Sequence, residues 1–599
     1  MKIKKHFLLL LIILLGGIFL RLYHYNEWLF FKWDQARDAI LLAPAIQEGP
    51  QNLPLLGPRA TKIGEDYLRL GPAYYYIQYL TGVIFQSTEP YIFAYSDLFF
   101  SILTIILFYL FLRLYFSRKI SLSATAMYTF SFLVIQYSRF AWNPNSIPFF
   151  TLLAFYGLLR FFDANQAKKK MGWLAVWALA YGLASQYHFF AFFTLTAVSF
   201  VFLGYYFFKK IRKDDFQGKI KTIFSKNSLL YLMVVFAILG FLYTPVIISE
   251  LKTDFSNSKL FLQMFSASGR KDKTFGEKFL RNFREQGNNY TLITTGFRHR
   301  AKMKDDPLTV GLGLFIIFSG LLLIGRELIL KRKKSFNEQN KNDGERNFLT
   351  LLNLWIILFF LITISASYQL RPRYFTVVFP VPFLIIAFWF HLIQEKKRQY
   401  FPIALTTVTI LILGLNAYNL QKWFWEQTAS QTKNFKTYRT LILKHRDGIT
   451  LGQLERVADY LSKQKTATTL YYSTPTEYYL PFKYLFILRG DKNESNFKYV
   501  KSPIDLVGKK NIYLIDNHQT GKASKKIRPY LKEISRKQFG QVFVHKMQVI
   551  NQKTLRQVAT KEARKKMQLL QESPSSAKKN TERLFWRDLL KESDISPKK

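Results

Sequence analysis

The sequence predicts an α-helical polytopic membrane protein with about eleven transmembrane helices, followed by a small α/β domain. Of its 599 residues, 49% are hydrophobic and 17% are aromatic. As far as about residue 420, the apolar residues come in blocks of roughly 17–25, the length that a helix needs to cross a bilayer core. Beyond that point the chain is polar and rich in lysine. Cysteine is absent, which excludes disulfides and thiolate metal sites.

Eleven apolar segments are expected to span the membrane. They lie at about 7–22, 96–114, 120–137, 147–162, 172–187, 190–208, 228–248, 308–330, 348–367, 374–394 and 401–420. The first segment follows a basic N-terminus and lacks a small-residue cleavage site, so it is predicted to stay as an uncleaved span rather than to be removed as a signal peptide.

The expected domain organisation follows from the change in composition. Residues 1–420 form the membrane domain, residues 421–550 a small α/β domain, and residues 551–599 a Lys-rich, partly disordered tail. In the α/β domain, helices are expected at 451–462 and 529–534, and strands at 470–473, 511–515 and 542–549.

The distribution of basic residues predicts the orientation. If residues 2–5 are cytoplasmic, alternation across eleven spans makes five loops cytoplasmic, and each is rich in Lys and Arg, as the positive-inside rule requires. These loops are 113–119, 168–170, 209–226, 331–346 and 396–398. The net charge is +46, but the basic residues lie largely between the apolar blocks and in the tail, so this charge is not taken to indicate a nucleic-acid partner. We expect a multi-pass plasma-membrane protein with a cytoplasmic N-terminus and an extracytoplasmic C-terminal domain.

The polar clusters with functional character gather on the extracytoplasmic face. In the first outer loop, about 23–95, Asp34 and Asp38 lie i,i+4 on one helix face, with Arg37 close to both. The loop continues into an aromatic segment, predicted to be a helix lying in the membrane interface. The other candidate residues on this face are Tyr75, Tyr76, Arg139, Asn143, Asn145, His188, Arg371, Arg373 and Tyr374.

Each cluster also has a purely structural interpretation. The two carboxylates fit a solvated helix start, the cluster around Arg139 fits a headgroup anchor, and His188 fits aromatic packing. Arg371 and Arg373 beside Tyr374 fit a lipid anchor as well. Positive charge is disfavoured on this face, however, so arginines there indicate a specific anion partner.

Together these groups suit a substrate with a lipid tail and a phosphate head. In glycosyl transfer from a polyprenyl-phosphate sugar, arginine stabilises the charge that develops on the leaving phosphate. A carboxylate accepts the proton of the acceptor hydroxyl, and Asp34 and Asp38 would divide the base and orienting roles. No Gly-rich nucleotide motif stands out, which fits a lipid-linked donor.

The chain resembles the GT-C superfamily of polytopic glycosyltransferases, in particular the group with protein O-mannosyltransferases and aminoarabinose lipid A transferases. The matching pieces, in the family's order, are residues 34–38, 70–76, 137–145, 186–188 and 371–375. The resemblance implies an inverting transfer from a polyprenyl-phosphate sugar at the outer membrane face. It also implies that Asp34 takes the place of the catalytic acidic residue in the family's first loop, and that Arg139 and Arg373 lie near the donor phosphate.

The motif departs from the family in one place. Many relatives have Asp-Glu where this chain has Asp34-Gln35, which leaves open whether Asp34 or Asp38 is the base. The missing second acidic residue weakens the case for a metal, and no cofactor is assigned, although a divalent metal stays open. The acceptor is a glycan, a lipid or a protein, and the C-terminal domain matches no family and is a candidate acceptor-binding part.

Two alternative functions, a transporter and a non-catalytic scaffold, make different predictions. A transporter or flippase of lipid-linked saccharides should have broken helices and ionisable residues near mid-bilayer, often in two related halves. Here the polar clusters lie at span ends on one face and no half-repeat is visible. A non-catalytic scaffold would keep its function without Asp34 and Asp38.

Overall fold

The structure is a computed structural model. It describes residues 5–211, 226–267, 273–297, 306–334, 343–433, 448–464, 469–491, 496–516, 526–561 and 583–593. The predicted basic loop 209–226 and the middle of the tail lie largely outside the described residues.

All eleven predicted spans fall on helices, which confirms the α-helical polytopic class. The helices are α1 (Lys5–Leu22), α4 (Ile92–Leu112), α5 (Arg118–Thr129), α6 (Phe132–Tyr137), α7 (Ile147–Asp163), α8 (Ala167–Tyr187), α9 (Phe189–Ile211), α10 (Lys226–Lys252), α13 (Pro307–Lys334), α14 (Asp343–Ile364), α15 (Val381–Lys396) and α16 (Phe401–Ser430). By length and composition, seven helices of the described chain can cross a membrane, or eight if Pro372–Val378 and α15, bent by 44°, form one span. How many of the eleven cross a bilayer therefore stays a prediction.

The helices differ in how much of their surface the protein covers. Only 11% of the apolar part of α10 is buried, against 56% for α4. Phe236 and Phe241 on α10 are 70% and 80% exposed. Large exposed apolar side chains on a long helix are stable only against lipid, so α10 lies at the rim of the bundle and α4 in its interior.

The first loop is folded. It contains α2 (Trp33–Glu48), a hairpin of β1 (Arg59–Ile63) and β2 (Asp66–Arg69), and α3 (Ala73–Ile84). The side chain of Gln35 accepts a hydrogen bond from the Lys32 main-chain N–H at 3.2 Å and so caps the start of α2. The hairpin turns at Gly64, which has φ +60°. The predicted interfacial helix coincides with α3, which is not among the helices long enough to span.

Two further helices line the bundle between α10 and α13. They are α11 (Ser256–Ala267) and α12 (Phe275–Thr295). The side chain of Asn257 on α11 accepts from the Arg69 main-chain N–H at 2.8 Å and donates to the Arg69 carbonyl at 3.2 Å. This reciprocal pair ties β2 to the bundle.

The C-terminal region contains a five-stranded sheet with the order β4-β3-β5-β7-β6. Its elements are α17 (Leu451–Lys463), β3 (Leu470–Ser473), α18 (Thr476–Leu488), β4 (Phe497–Tyr499), β5 (Asn511–Asp516), β6 (Leu531–Phe539) and β7 (Val542–Val549). The expected helix at 529–534 is wrong, because the chain from Leu531 forms a hairpin strand against β7. This edge strand is almost wholly exposed and rich in charge, which protects a sheet edge but hides the alternating apolar pattern of a strand.

The C-terminal region rests on the segment that leads into α2. The main-chain N–H groups of Leu451 and Gly452 donate to the carbonyls of Leu29 and Glu27 at 2.9 and 3.0 Å. A Cβ atom at Gly452 would lie 3.1 Å from the Glu27 carbonyl oxygen, so only glycine permits this approach without adjustment. The first loop and the C-terminal region therefore lie on the same side of the bundle.

Candidate active site

Arg37 joins the two carboxylates of α2. Its Nη1 atom lies 3.0 Å from Asp34 Oδ1, and its Nε and Nη2 atoms lie 2.9 and 2.8 Å from Asp38 Oδ1. The i,i+4 spacing on one helix face is thus used as predicted, with the guanidinium between the acids. The two acids are not equivalent, since the Asp34 side chain is 37% exposed and that of Asp38 only 8%.

Asp38 is further fixed by Tyr75 from α3, whose hydroxyl donates to Asp38 Oδ1 at 2.7 Å. Burial raises the pKa of Asp38, and the Arg37 charge and the Tyr75 hydrogen bond oppose that rise. Although burial alone would lower the pKa of Arg37, the charges of Asp38, Tyr75 and Asp34 raise it above its usual value. Asp38 therefore serves as an internal anchor, while Asp34 faces solvent.

Arginines from two other parts of the chain reach the same place. Arg583 lies with its guanidinium 5.4 Å from the centre of the Tyr75 ring. The pKa of Arg69, at the end of β2, is lowered to about 10, mainly by burial. The positive charges of Arg583, Arg59 and Arg37 act in the same direction, the first two more strongly than the third. Nη1 of Arg69 and Nε of Arg583 are buried without a hydrogen-bond partner among the described residues. The sequence analysis missed both residues.

Gln35 connects α2 to the loop between α6 and α7. Its Nε2 atom donates to the Ala141 carbonyl at 3.0 Å. Buried Asp97 on α4 holds the same loop by accepting from the Trp142 main-chain N–H at 3.0 Å and from the Ser146 hydroxyl. Gln35 thus has a structural partner in this loop.

The predicted amides of this loop also bind main chain. Asn143 donates to the Tyr187 carbonyl, and Asn145 donates to the Phe140 carbonyl at 2.7 Å. Both side chains hold the loop in shape, and Asn143 attaches it to the end of α8.

Arg139 lies at the C-terminal end of α1. It donates to the carbonyls of Leu20, Arg21 and Tyr23 at 3.0, 2.8 and 2.6 Å. These are carbonyls that a helix end leaves without partners, and a cation is favourable there. The structure does not bring Arg139 into contact with the carboxylates of α2 in the described part of the chain.

Arg373, Tyr374 and His188 form a second cluster. The Arg373 guanidinium lies 5.2 Å from the Trp142 ring and donates to the Tyr374 hydroxyl at 3.0 Å. The His188 and Tyr374 rings lie 5.4 Å apart. Because Trp142 belongs to the loop that Gln35 contacts, this cluster is linked to α2 through one loop. Arg371, at the start of the same 3-10 segment, is half-buried.

Gln186 positions α3. Its side-chain oxygen accepts from the Ala73 N–H at 3.3 Å, and its nitrogen donates to the Leu242 carbonyl at 3.0 Å. A Cβ atom on Gly71 would lie 2.4 Å from this side chain, so glycine is needed there. Tyr76 on α3 donates to the Pro54 carbonyl at 3.2 Å and faces away from the acids.

Among the described residues, no group of three or more His, Cys, Asp or Glu side chains could hold a metal ion. The chemistry that these residues themselves offer is therefore one exposed carboxylate, one buried carboxylate and several guanidiniums.

A family model described as dolichyl-phosphate-mannose-protein mannosyltransferase matches residues 8–248. No curated protein matches the chain. The solved structures that are similar include ArnT from Cupriavidus metallidurans in the apo state, with 12% identity over 90% of this chain and 97% of that chain and a TM-score of 0.49. The same protein bound to undecaprenyl phosphate has 13% identity, the same coverages and a TM-score of 0.48. The Archaeoglobus fulgidus oligosaccharyltransferase in complex with Zn and sulfate has 14% identity over 90% of this chain and 72% of that chain and a TM-score of 0.47.

At these identities and TM-scores the structural likenesses carry no argument about this chain, and the family model matches only its N-terminal part. The matched residues contain the whole first loop with α2 and α3, the loop of Arg139, and His188. They contain neither Arg373 nor Arg583. The likeness to this mannosyltransferase family is therefore confined to the N-terminal part of the membrane domain.

Proposed function

We propose that the chain transfers a sugar from a polyprenyl-phosphate donor to a hydroxyl or amine acceptor at the extracytoplasmic face, with Asp34 as the base. One observation supports these roles above all: Arg37 bridges two carboxylates of which only Asp34 is open to an acceptor. Asp38, buried and bonded to both Arg37 and Tyr75, orients the guanidinium.

The reaction needs one proton acceptor and one stabilised leaving group. The acceptor oxygen or nitrogen forms its bond to the anomeric carbon while the bond from that carbon to the phosphate oxygen breaks. The phosphate leaves with the electron pair, and the acceptor proton passes to Asp34. Arg37 donates to Asp34 Oδ1 at 3.0 Å and so holds this carboxylate in place.

The donor class is inferred from chemistry and from the family model. The description of that family names dolichyl-phosphate mannose. A lipid phosphate needs cationic partners at the membrane boundary, and Arg37, Arg69 and Arg373 are the arginines that we assign to it. For Arg139 the geometry favours anchoring the end of α1.

The test is sugar release from synthetic polyprenyl-phosphate sugars by the purified chain in detergent. Asp34→Asn keeps the shape but removes the base, so turnover should fall by about 100-fold or more. Asp254→Asn is the matched control, because Asp254 is an exposed acid paired only with Lys259. If wild type binds donors but releases no sugar, the flippase function is favoured. Full turnover by Asp34→Asn would show that Asp34 is not the base.

The orientation is also a proposal, with the N-terminus cytoplasmic and both the first loop and the C-terminal region outside. The chain has no cysteine, so single cysteines can be introduced on an unlabelled background. Exposed Lys62 and Lys532 should react as cysteines with a membrane-impermeant maleimide on intact cells, whereas Lys169→Cys should react only after permeabilisation. Labelling of Lys169→Cys in intact cells would contradict the orientation.

A further inference from the structure

The end of the chain folds back onto the first loop. We name residues 583–593 the C-terminal strap. The Leu55 N–H donates to the Leu584 carbonyl at 2.9 Å, and the Trp586 N–H donates to the Leu53 carbonyl at 3.1 Å. The strap thus pairs main chain to main chain in antiparallel fashion, which is how an added strand gains affinity without a side-chain pattern.

Side chains fix the register of the strap. Trp586 Nε1 donates to the Tyr76 hydroxyl at 2.8 Å, and Arg587 Nη1 donates to Asn52 Oδ1 at 2.8 Å. Tyr76 is on the same turn of α3 as Tyr75. The docked Trp586 indole therefore fixes the position of the strap relative to Tyr75, whose hydroxyl bonds Asp38.

In this register Arg583 comes to the carboxylate site. Its Nη2 atom donates to the Gly57 carbonyl at 3.2 Å, and its guanidinium lies over the Tyr75 ring. Among the residues that the structure describes, neither its Nε atom nor Nη1 of Arg69, both buried, has a hydrogen-bond partner. Two neighbouring guanidiniums in a partly desolvated place repel each other unless an anion lies between them, and Asp34 and Asp38 are both engaged by Arg37.

We propose that Arg583 is a substrate-binding residue of the active site and that, with Arg69, it binds a phosphate at the membrane boundary. The identity of this phosphate as that of the polyprenyl donor rests on the proposed function. A strap that blocks the site fits the structure less well, because Asp34 keeps 37% of its side chain exposed with the strap in place.

The experiment uses the full-length chain in nanodiscs of neutral lipid and measures binding of polyprenyl phosphate. Arg583→Ala should weaken that binding by about tenfold or more, the usual effect of losing a charge-assisted hydrogen bond. Arg556→Ala removes the same charge from an exposed position outside the strap and should bind as wild type does. Arg583→Lys should recover part of the affinity.

A second variant and a second lipid complete the test. Trp586→Ala undocks the strap and should reproduce the loss seen with Arg583→Ala, together with a raised KM for the donor. A rise in turnover with either variant would overturn the proposal and make the strap an inhibitor. If anionic phospholipid in the disc, rather than polyprenyl phosphate, shows the Arg583-dependent binding, the phosphate is a bilayer headgroup and the donor assignment is overturned.

The failures are distinguishable. If wild type binds no polyprenyl phosphate, the proposed function fails. If wild type binds it and Arg583→Ala binds equally well, only the role of Arg583 fails.

Discussion

Arginines lie buried at the end of α1 and half-buried at the base of the first loop, and the two groups are held differently. At the end of α1, Arg139 donates to three main-chain carbonyls, and nearby Arg21 donates to two carbonyls and to Ser101. At the first loop, Arg37 holds two carboxylates, and Arg583 donates to the Gly57 carbonyl and lies over the Tyr75 ring. Among the described residues each of these arginines except Arg37 keeps one buried nitrogen without a partner, but Arg139 and Arg21 are each held by three hydrogen bonds and Arg583 by one. The first pair therefore completes the fold, and we assign the arginines of the first loop to an anion.

The largest effects should come from the carboxylates of the first loop. Asp34→Asn should lower turnover by about 100-fold or more. Asp38→Asn should lower it less, because Arg37 would still pair with Asp34 and the amide oxygen could still accept from Arg37, although without the negative charge. Steady-state turnover of both variants under saturating donor gives the ranking. The reverse ranking would assign the base to Asp38.

Arg139→Ala tests the other side of the comparison. It leaves three carbonyls of the α1 end without their donor, so the free energy of unfolding should fall by about 3 kcal/mol or more. The donor KM of the protein that remains folded should not change. Thermal unfolding in detergent, read beside KM, separates the two effects, and a raised KM at unchanged thermal midpoint would return Arg139 to the donor site.

Arg69→Ala should behave in the opposite way. Donor affinity should fall by about tenfold, since one charge-assisted contact is lost. Thermal stability should stay the same or rise, because removing Arg69 relieves its repulsion with Arg583 and Arg59. Donor titration and thermal unfolding on the same preparation check both signs. Loss of stability with unchanged affinity would mean that Arg69 is structural.

The local parts of this site were predictable from the sequence, and the distant parts were not. Asp34, Arg37 and Asp38 share one helical turn, so spacing alone predicted their contact. Tyr75 was a candidate, but its bond to Asp38 depends on how α3 packs against α2. Arg583 gave no signal, because it is one basic residue in a Lys-rich tail that docks through main-chain hydrogen bonds. The edge strand Leu531–Phe539 escaped for a similar reason, since its partner, not its own pattern, determines its conformation.

Arg373 extends the comparison to the second cluster. Arg373→Ala should raise the donor KM, but less than Arg69→Ala does, because the Arg373 guanidinium already donates to the Tyr374 hydroxyl and lies over the Trp142 ring. Exposed Arg398, beyond α15, provides the control Arg398→Ala. Steady-state kinetics over a range of donor concentrations measure the donor KM of both variants. An unchanged KM for Arg373→Ala would confine the cluster to packing between His188, Tyr374 and Trp142.

Tyr75→Phe should have the smallest effect and the most specific one. It removes a single hydrogen bond to Asp38, worth about 1 kcal/mol, so turnover at neutral pH should fall only several-fold. The Tyr75 hydrogen bond lowers the pKa of Asp38 against the effect of burial, so its loss raises that pKa further. As pH falls, Asp38 then takes up a proton at a higher pH, the bridge to Arg37 weakens earlier, and the acidic limb of the pH–rate profile moves upward.

The profile of turnover against pH for wild type and Tyr75→Phe measures this shift. Tyr76→Phe is the matched control, because its hydroxyl bonds Trp586 and Pro54 and not a carboxylate. A shift in the control but not in Tyr75→Phe would show that the strap, rather than the buried carboxylate, determines the acidic limb. The predicted pattern requires that Asp38 be ionised for catalysis although it does not touch the acceptor, which is what an orienting carboxylate should show.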